Sequence, residues 1–254
     1  MKVRLQACLL AFLVLAFWQM AVQLEWVSPI LLPAPLDIAR YLLESTLDGV
    51  LPQALWVTLW RLFIGYFLGL LLGIFLGFLL YRSALMRSTV GVVALGLQTL
   101  PSVCWAPLAI LWFGQTESAM YFVVIMGSMW AVTIATENAI QSVPPLYIRA
   151  ARVMGSTGLH TWRTIIFPAT LPQLLNGAKL GWAFAWRSLM AAEIYVMIIA
   201  NMGLGQLLHF GRELNAMDQA MAVMVVIVVI GFLTDRLLFM PAERYLRRTR
   251  GLNS

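Results

Sequence analysis

The chain has 254 residues, of which 61% are hydrophobic and 11% charged, against about 45–50% and about 25% in soluble domains. That balance excludes a soluble globular protein. At about 20 residues for each helical crossing of a bilayer, it leaves room for six or so crossings and short loops and none for a separate soluble domain. The net charge of +6 reports orientation in a membrane chain before it reports nucleic acid, which is not an expected partner.

Irregular backbone cannot face lipid, and the apolar runs are continuous rather than alternating, so an all-α polytopic bundle is expected and not a barrel. The first predicted crossing covers residues 5–24. It opens on Lys2 and Arg4 and imitates a secretory signal over Leu9 to Phe17, but no small-x-small cleavage site follows. An uncleaved helix with its N-terminus inside is expected, with a cleaved signal as the alternative. Glu25 to Pro52, rich in proline and acids, is placed outside, and Leu36 to Leu47 is suited to an interfacial helix.

The second crossing, about 55–80, carries Gly65, Gly69, Gly73 and Gly77 at four-residue spacing. Such a stripe lets another helix approach closely, within one subunit or across a dimer. Arg82 and Arg87 place its end inside. The third crossing, about 88–113, holds Pro101 and Pro107, which should bend it and either line a path or make a packing kink. Residues 113–118 form an outer turn, and the fourth crossing, about 119–141, brings Glu137 and Asn138 to the inner side. Glu137 is expected to pair with Arg149 or Arg152. Cys8 and Cys104, far apart inside apolar segments, indicate neither a disulfide nor a metal site.

Arg149 to Pro168 is the long polar interval of the second half. Pro144 and Pro145 suit a helix start. Leu146, Tyr147, Ala150, Ala151 and Met154 then recur at three- and four-residue steps, with Arg149 and Arg152 on another face. Gly155 and Gly158 should break this helix. A second short one, with Leu159, Trp162 and Ile166 on one side and His160 and Arg163 on the other, should stop near Phe167-Pro168.

The fifth crossing, about 173–199, contains Lys179, Trp182, Trp186, Arg187 and Glu193. Charges within a bilayer usually face a cavity or a partner. Arg187, midway along, is the leading candidate for an anion contact, with an ion pair to a carboxylate such as Glu193, held from another helix, as the alternative. Lys179 is expected to snorkel toward the headgroups. Trp182 and Trp186, at i and i+4, are suited to packing or to substrate contact. Asn201 to Gln219, with His209, Arg212, Glu213 and Asp218, returns outside. The sixth crossing, about 220–239, leads into a basic tail with Arg244, Arg247, Arg248 and Arg250. The inner side then holds twelve Lys and Arg (Lys2, Arg4, Arg82, Arg87, Arg149, Arg152, Arg163, Arg236, Arg244, Arg247, Arg248, Arg250) and the outer side three (Arg40, Arg61, Arg212). This asymmetry puts both termini and the 149–168 loop in the cytoplasm.

The loop resembles the Glu-Ala-Ala, three residues, Gly, nine residues, Ile-x-Leu-Pro motif of binding-protein-dependent ABC importer permeases. The matches are Ala150, Ala151, Gly155, Ile165 and Pro168, with Arg149 replacing the usual Glu and Phe167 the usual Leu. Leu31-Leu-Pro33-Ala-Pro35, Thr58-Leu-Trp-Arg61, Trp105-Ala-Pro107, Phe167-Pro168-Ala-Thr-Leu-Pro172, Ala192-Glu193 and Gly203-Leu-Gly205 look like landmarks of the nitrate, sulfonate and taurine subfamily. The resemblance implies the MetI-like type I importer permease fold with six transmembrane helices. It also implies that Arg149, Ala150, Ala151, Gly155, Ile165 and Pro168 form coupling helices docked on a separate ABC ATPase.

The same resemblance implies a second copy of the chain and a soluble or lipid-anchored binding protein, in a bacterial inner membrane. Candidate path residues are Trp105, Glu137, Trp182, Arg187 and Glu193. The expected organisation is an N-terminal helix and external segment at 1–54, a permease core at 55–240 with the coupling loop at 142–168, and a basic cytoplasmic tail at 241–254. No cofactor is expected in this chain, since it has no Gly-x-x-x-x-Gly-Lys-Ser/Thr loop and ATP with Mg belongs to the partner ATPase. A membrane enzyme would want clustered His, Asp or Glu, and an ion-gradient-driven transporter internal repeats; neither pattern stands out. The cargo expected is a small anion, sulfonate, nitrate or taurine, with a vitamin precursor as the alternative.

Overall fold

The structure, a computed structural model of the chain, describes residues 2–28, 31–198 and 201–249, and every regular element among them is helical. The predicted end of the fifth crossing at 199 and residues 250–254 of the tail lie outside the described residues. Contacts divide the chain into two compact units, Met1–Leu59 with Ile198–Val229, and Trp60–Met197 with Ile230–Ser254.

In the first unit, α1 (Lys2–Gln23) is followed by α2 (Pro35–Leu47). Pro35 begins α2 where a missing N–H costs nothing, and Asp37 sits in its first turn, against the positive end of the helix dipole. The helix buries Ile38 and Ser45 and exposes Leu36, Leu43 and Leu47, the two-faced pattern of a segment at an interface. Its Leu36 N–H donates to Gln19 Oε1 of α1 at 3.2 Å. The polar stretch after 201 is itself ordered. Helix α10 (Leu204–Glu213) has its first N–H groups satisfied by side chains, Gly203 N–H by Gln206 Oε1 at 2.9 Å and Leu204 N–H by Thr58 Oγ1 at 2.8 Å.

The second unit is built around helix pairs in close approach. Helix α3 (Val50–Arg82) presents its glycine stripe to α6 (Glu117–Gln141). A Cβ on Gly65 would lie 2.7 Å from Val124, and one on Gly73 would lie 2.7 Å from Val132 and 2.8 Å from the Met129 carbonyl. On Gly77 it would meet the Thr133 carbonyl at 2.6 Å, and on Gly69 it would collide with Ser128 Oγ. The stripe is therefore a seam within one chain. On its other side α6 packs against α9 (Phe167–Tyr195), where Gly177 meets Ala135 and Gly127 admits Ser188. Without a hydrophobic drive between helices in lipid, such small-residue contacts hold them together by packing.

Prolines account for one expected bend and two departures from the sequence reading. The third crossing is a broken pair, α4 (Ala84–Thr99) and α5 (Ser102–Phe113), bent by 101°. Pro101, placed between them, makes the break; Pro107 falls in the first turn of the α-helix at Trp105–Phe113 and bends nothing. Pro168 does not stop the loop's second helix either. A short helix α8 (Gly158–Thr161) runs through a π-turn at Trp162–Ile166 directly into α9. The wider turn accommodates the missing N–H and the ring of the proline that follows it.

The last crossing repeats the device. Helix α11 (Met217–Thr234) passes through a π-turn at Asp235–Phe239 into α12 (Met240–Thr249), with Pro241 just beyond, so the tail extends the crossing. By length and apolarity, α3, α6 and Met217–Leu246 can cross a membrane, and a fourth crossing is added if the bent pair is one span. Helix α9 has the length, 29 residues, but carries Lys179, Arg187 and Glu193 within it.

Candidate translocation and coupling site

The charge cluster of the core centres on a residue that the sequence reading placed among external basic residues. Arg61, on α3, is 1% exposed and Glu193, on α9, is fully buried. Arg61 holds Glu117, at the start of α6, with two parallel bonds: Nε to Oε2 at 2.8 Å and Nη2 to Oε1 at 2.6 Å. Its Nη1 donates to Glu193 Oε1 at 3.0 Å. One guanidinium thus ties three helices through its fork. The sequence signal was a lone arginine inside an apolar run, where cost alone demands a partner.

That arrangement removes Glu193 from Arg187, the pairing held open above. Glu137 likewise pairs with neither Arg149 nor Arg152. It is held by Arg87 at 2.8 Å and by Gln141 Nε2 at 2.7 Å, because the turn after α3 brings Arg87 onto the inner end of α6. Lys179 does more than snorkel: its Nζ lies 2.6 Å from Asp235 and 3.2 Å from Glu243, joining α9 to the C-terminal helix.

Arg187 itself is exposed at a cavity of about 240 Å³ lined by the break at Leu100-Pro101, by Gln98 and Ser102, and by Phe184. Its guanidinium lies over the Phe184 ring at 5.2 Å, and its Nε donates to the Ala183 carbonyl at 3.2 Å. Trp182 and Trp186 stack, 5.5 Å apart, with Trp182 edge-on to Phe239 at 6.4 Å. Trp105 is buried against Phe122, ring centroids 6.2 Å apart. Of the five proposed path residues, only Arg187 lines this cavity; the tryptophans pack, and Glu137 and Glu193 are held in ion pairs.

At the far end of α6 residues 142–168 form an elbow. Helix α7 (Pro145–Val153) is capped beyond its end by Gly155 at φ +82°, and Gly158 at φ +54° starts the return. Both glycines hold left-handed backbone that other residues avoid. Ser156 and Thr161 share a buried hydroxyl contact at 2.9 Å across the bend. The inner face is fixed by Ala151, fully buried, and by Ile166 and Trp162 packed with Ile140, Val143 and Tyr81. Leu159, expected beside Trp162, points away instead. With it Leu146, Tyr147, Val153 and Met154 are exposed, between Arg149, Arg152 and Arg163. Gly155 and Ala150 are exposed, while Ile165 and Pro168 are half-buried.

A taurine transport system permease protein of Escherichia coli, TauC, is 29% identical over 239 residues, covering 92% of this chain and 86% of that one. A Methanocaldococcus jannaschii protein named as an ABC transporter permease, MJ0413, is 33% identical over 149 residues, 59% of this chain and 55% of that relative's length. A chain of the methionine ABC transporter MetNI, solved in inward-facing conformations, superposes with a TM-score of 0.66 at 22% identity, over 79% of this chain and 98% of that one. Residues 69–245 match the family described as the binding-protein-dependent transport system inner membrane component. With the helical bundle, the elbow and that match together, the chain belongs to the family of membrane components of binding-protein-dependent transport systems, the permease subunits of ABC importers, which leave ATP hydrolysis to a separate subunit.

Proposed function

We propose that two copies of this chain form the path of an importer for a small sulfonate-type anion, handed over by a binding protein on the outer side. In this reading both termini and the elbow lie in the cytoplasm, where ATPase subunits grip the elbow. Nucleotide binding and hydrolysis then swing α7 and α8, and with them α6 and α9, between states open to either side. A sulfonate is supported by the likeness over most of the chain to a permease named for taurine, itself a sulfonate.

One observation carries the reading. The elbow displays Val153 at 89%, Leu159 at 84% and Met154 at 77% exposure among three arginines, while its opposite face is pinned to the bundle. An exposed apolar patch rimmed by charge marks a protein contact. Met154→Glu therefore should abolish co-purification with the ATPase and ATP-driven uptake while leaving thermal unfolding unchanged. ATPase association that survives this substitution, or uptake driven by an ion gradient without ATP, would overturn the proposal.

A further inference from the structure

Arg187 is conspicuous because its neighbouring acid is already engaged. Glu193 is fully buried and bonded to Arg61, and no carboxylate lines the cavity at the α4–α5 break. Among the described residues the two terminal nitrogens of Arg187 carry no hydrogen bond, and the Phe184 ring holds the guanidinium at the cavity wall. An arginine left unpaired within membrane depth is costly unless something fills its site.

The same cavity holds a second unpaired group. Gln98 Oε1, from the last turn of α4, is buried with no hydrogen-bond partner. A buried acceptor left unmet costs as much as a lost bond and calls for an explanation, a ligand among them. The Ser102 hydroxyl, on the first turn after the break, lines the cavity too and likewise makes no bond among the described residues. The wall of this space thus offers positive donors at Arg187 and an acceptor at Gln98. At about 240 Å³ it has the liquid volume of about eight waters, enough for an anion with a short carbon arm.

We propose that this cavity is a transit site that reads both ends of the cargo: Arg187 takes the anionic head, and Gln98 accepts from an N–H or O–H donor on the other end. The ligand class is a small anion with a donor, such as an amino- or hydroxy-alkanesulfonate, rather than a bare inorganic anion. The site rests on the importer reading and sharpens it, because it gives the membrane component a selectivity of its own beyond that of the binding protein.

Two measurements separate the claims. Uptake of taurine by proteoliposomes containing the whole importer, with its ATPase and binding protein, tests the importer reading; no uptake of taurine, ethanesulfonate or nitrate defeats that reading and this site with it. Binding of taurine and of ethanesulfonate to the permease–ATPase complex in nanodiscs, without the binding protein, tests the site alone. Wild type should bind both. Arg187→Ala should weaken both about tenfold or more, the scale of a charge-assisted fork, and Arg187→Lys should fall between. Gln98→Leu should weaken taurine severalfold and leave ethanesulfonate, which has no donor, unchanged. Uptake by wild type without binding of either probe overturns the site, as does Arg187→Ala with unaltered binding. A Gln98→Leu complex that loses both probes equally overturns the two-ended recognition. Arg187→Ala complexes that fall apart into single permeases would instead assign the arginine to an ion pair between copies.

Discussion

Arg61 decides more about this core than any residue the sequence singled out. It neutralises part of a site holding two glutamates, so removing it strands two carboxylates on α6 and α9 with one of them fully buried. Breaking a buried pair by deleting one partner costs about 3–5 kcal/mol, because the desolvated charge remains. Arg61→Met should lower the melting temperature of the detergent-purified protein and its membrane level sharply. Glu193→Gln, which keeps shape and a hydrogen-bond acceptor while removing one negative charge, should be far milder. Equal melting of wild type and Arg61→Met would show that the fork contributes nothing. Counting Arg61 among the outer basic residues missed its pairing: a charge tally sees sign and approximate depth, whereas the partners lie 56 and 132 residues away along the chain.

Among the helices, what the sequence made legible was local and periodic. The four-residue glycine step predicted a close approach and the fold places it against α6. Gly155 and Gly158 predicted an elbow and both hold positive φ. What it concealed depended on the competition between proline and its neighbours. Pro101 falls at a helix break well after the π-turn at Arg87–Gly91, while Pro168 and Pro241 directly follow π-turns and interrupt nothing. The elbow's outward face was misassigned in part for a similar reason. An apolar stripe is usually buried, so Leu159 was grouped with Trp162, whereas it is exposed, as the proposed ATPase contact requires. The glycine seam yields a paired prediction. Gly73→Ala, whose Cβ would press on Val132 and on a backbone carbonyl, should destabilise by about 1–3 kcal/mol through overpacking. Gly231→Ala, with nothing within 4 Å of its Cβ, should be neutral or gain up to about 1 kcal/mol from helix propensity. Thermal unfolding of both in one detergent checks the contrast, and indistinguishable melting would remove the seam's claim to specificity.

For the whole molecule, the proposed orientation sets twelve basic residues on the inner side against Arg40 and Arg212 on the outer once Arg61, buried in its ion pairs, is left out of the count. The positions that this proposal puts inside are also the mechanically connected ones. Arg87 joins the start of α4 to α6 at Glu137, Lys179 joins α9 to the C-terminal helix, and the elbow links α6 to α9. A pull on the elbow therefore reaches α4 and the C-terminal helix by ion pairs placed at that end. The Arg61 fork holds α3, α6 and α9 at Glu117, the opposite end of α6. A clamp at one end of a helix set and a handle at the other is the arrangement that converts a push into tilting about the clamp. Orientation is its precondition and can be measured directly. In a chain with Cys8 and Cys104 replaced by alanine, a membrane-impermeant maleimide added to intact spheroplasts should modify a Thr116→Cys chain, whose site starts α6. It should leave a Met154→Cys chain untouched until the membrane is opened. Modification of the Met154→Cys chain from outside would put the elbow beyond the reach of any cytoplasmic ATPase.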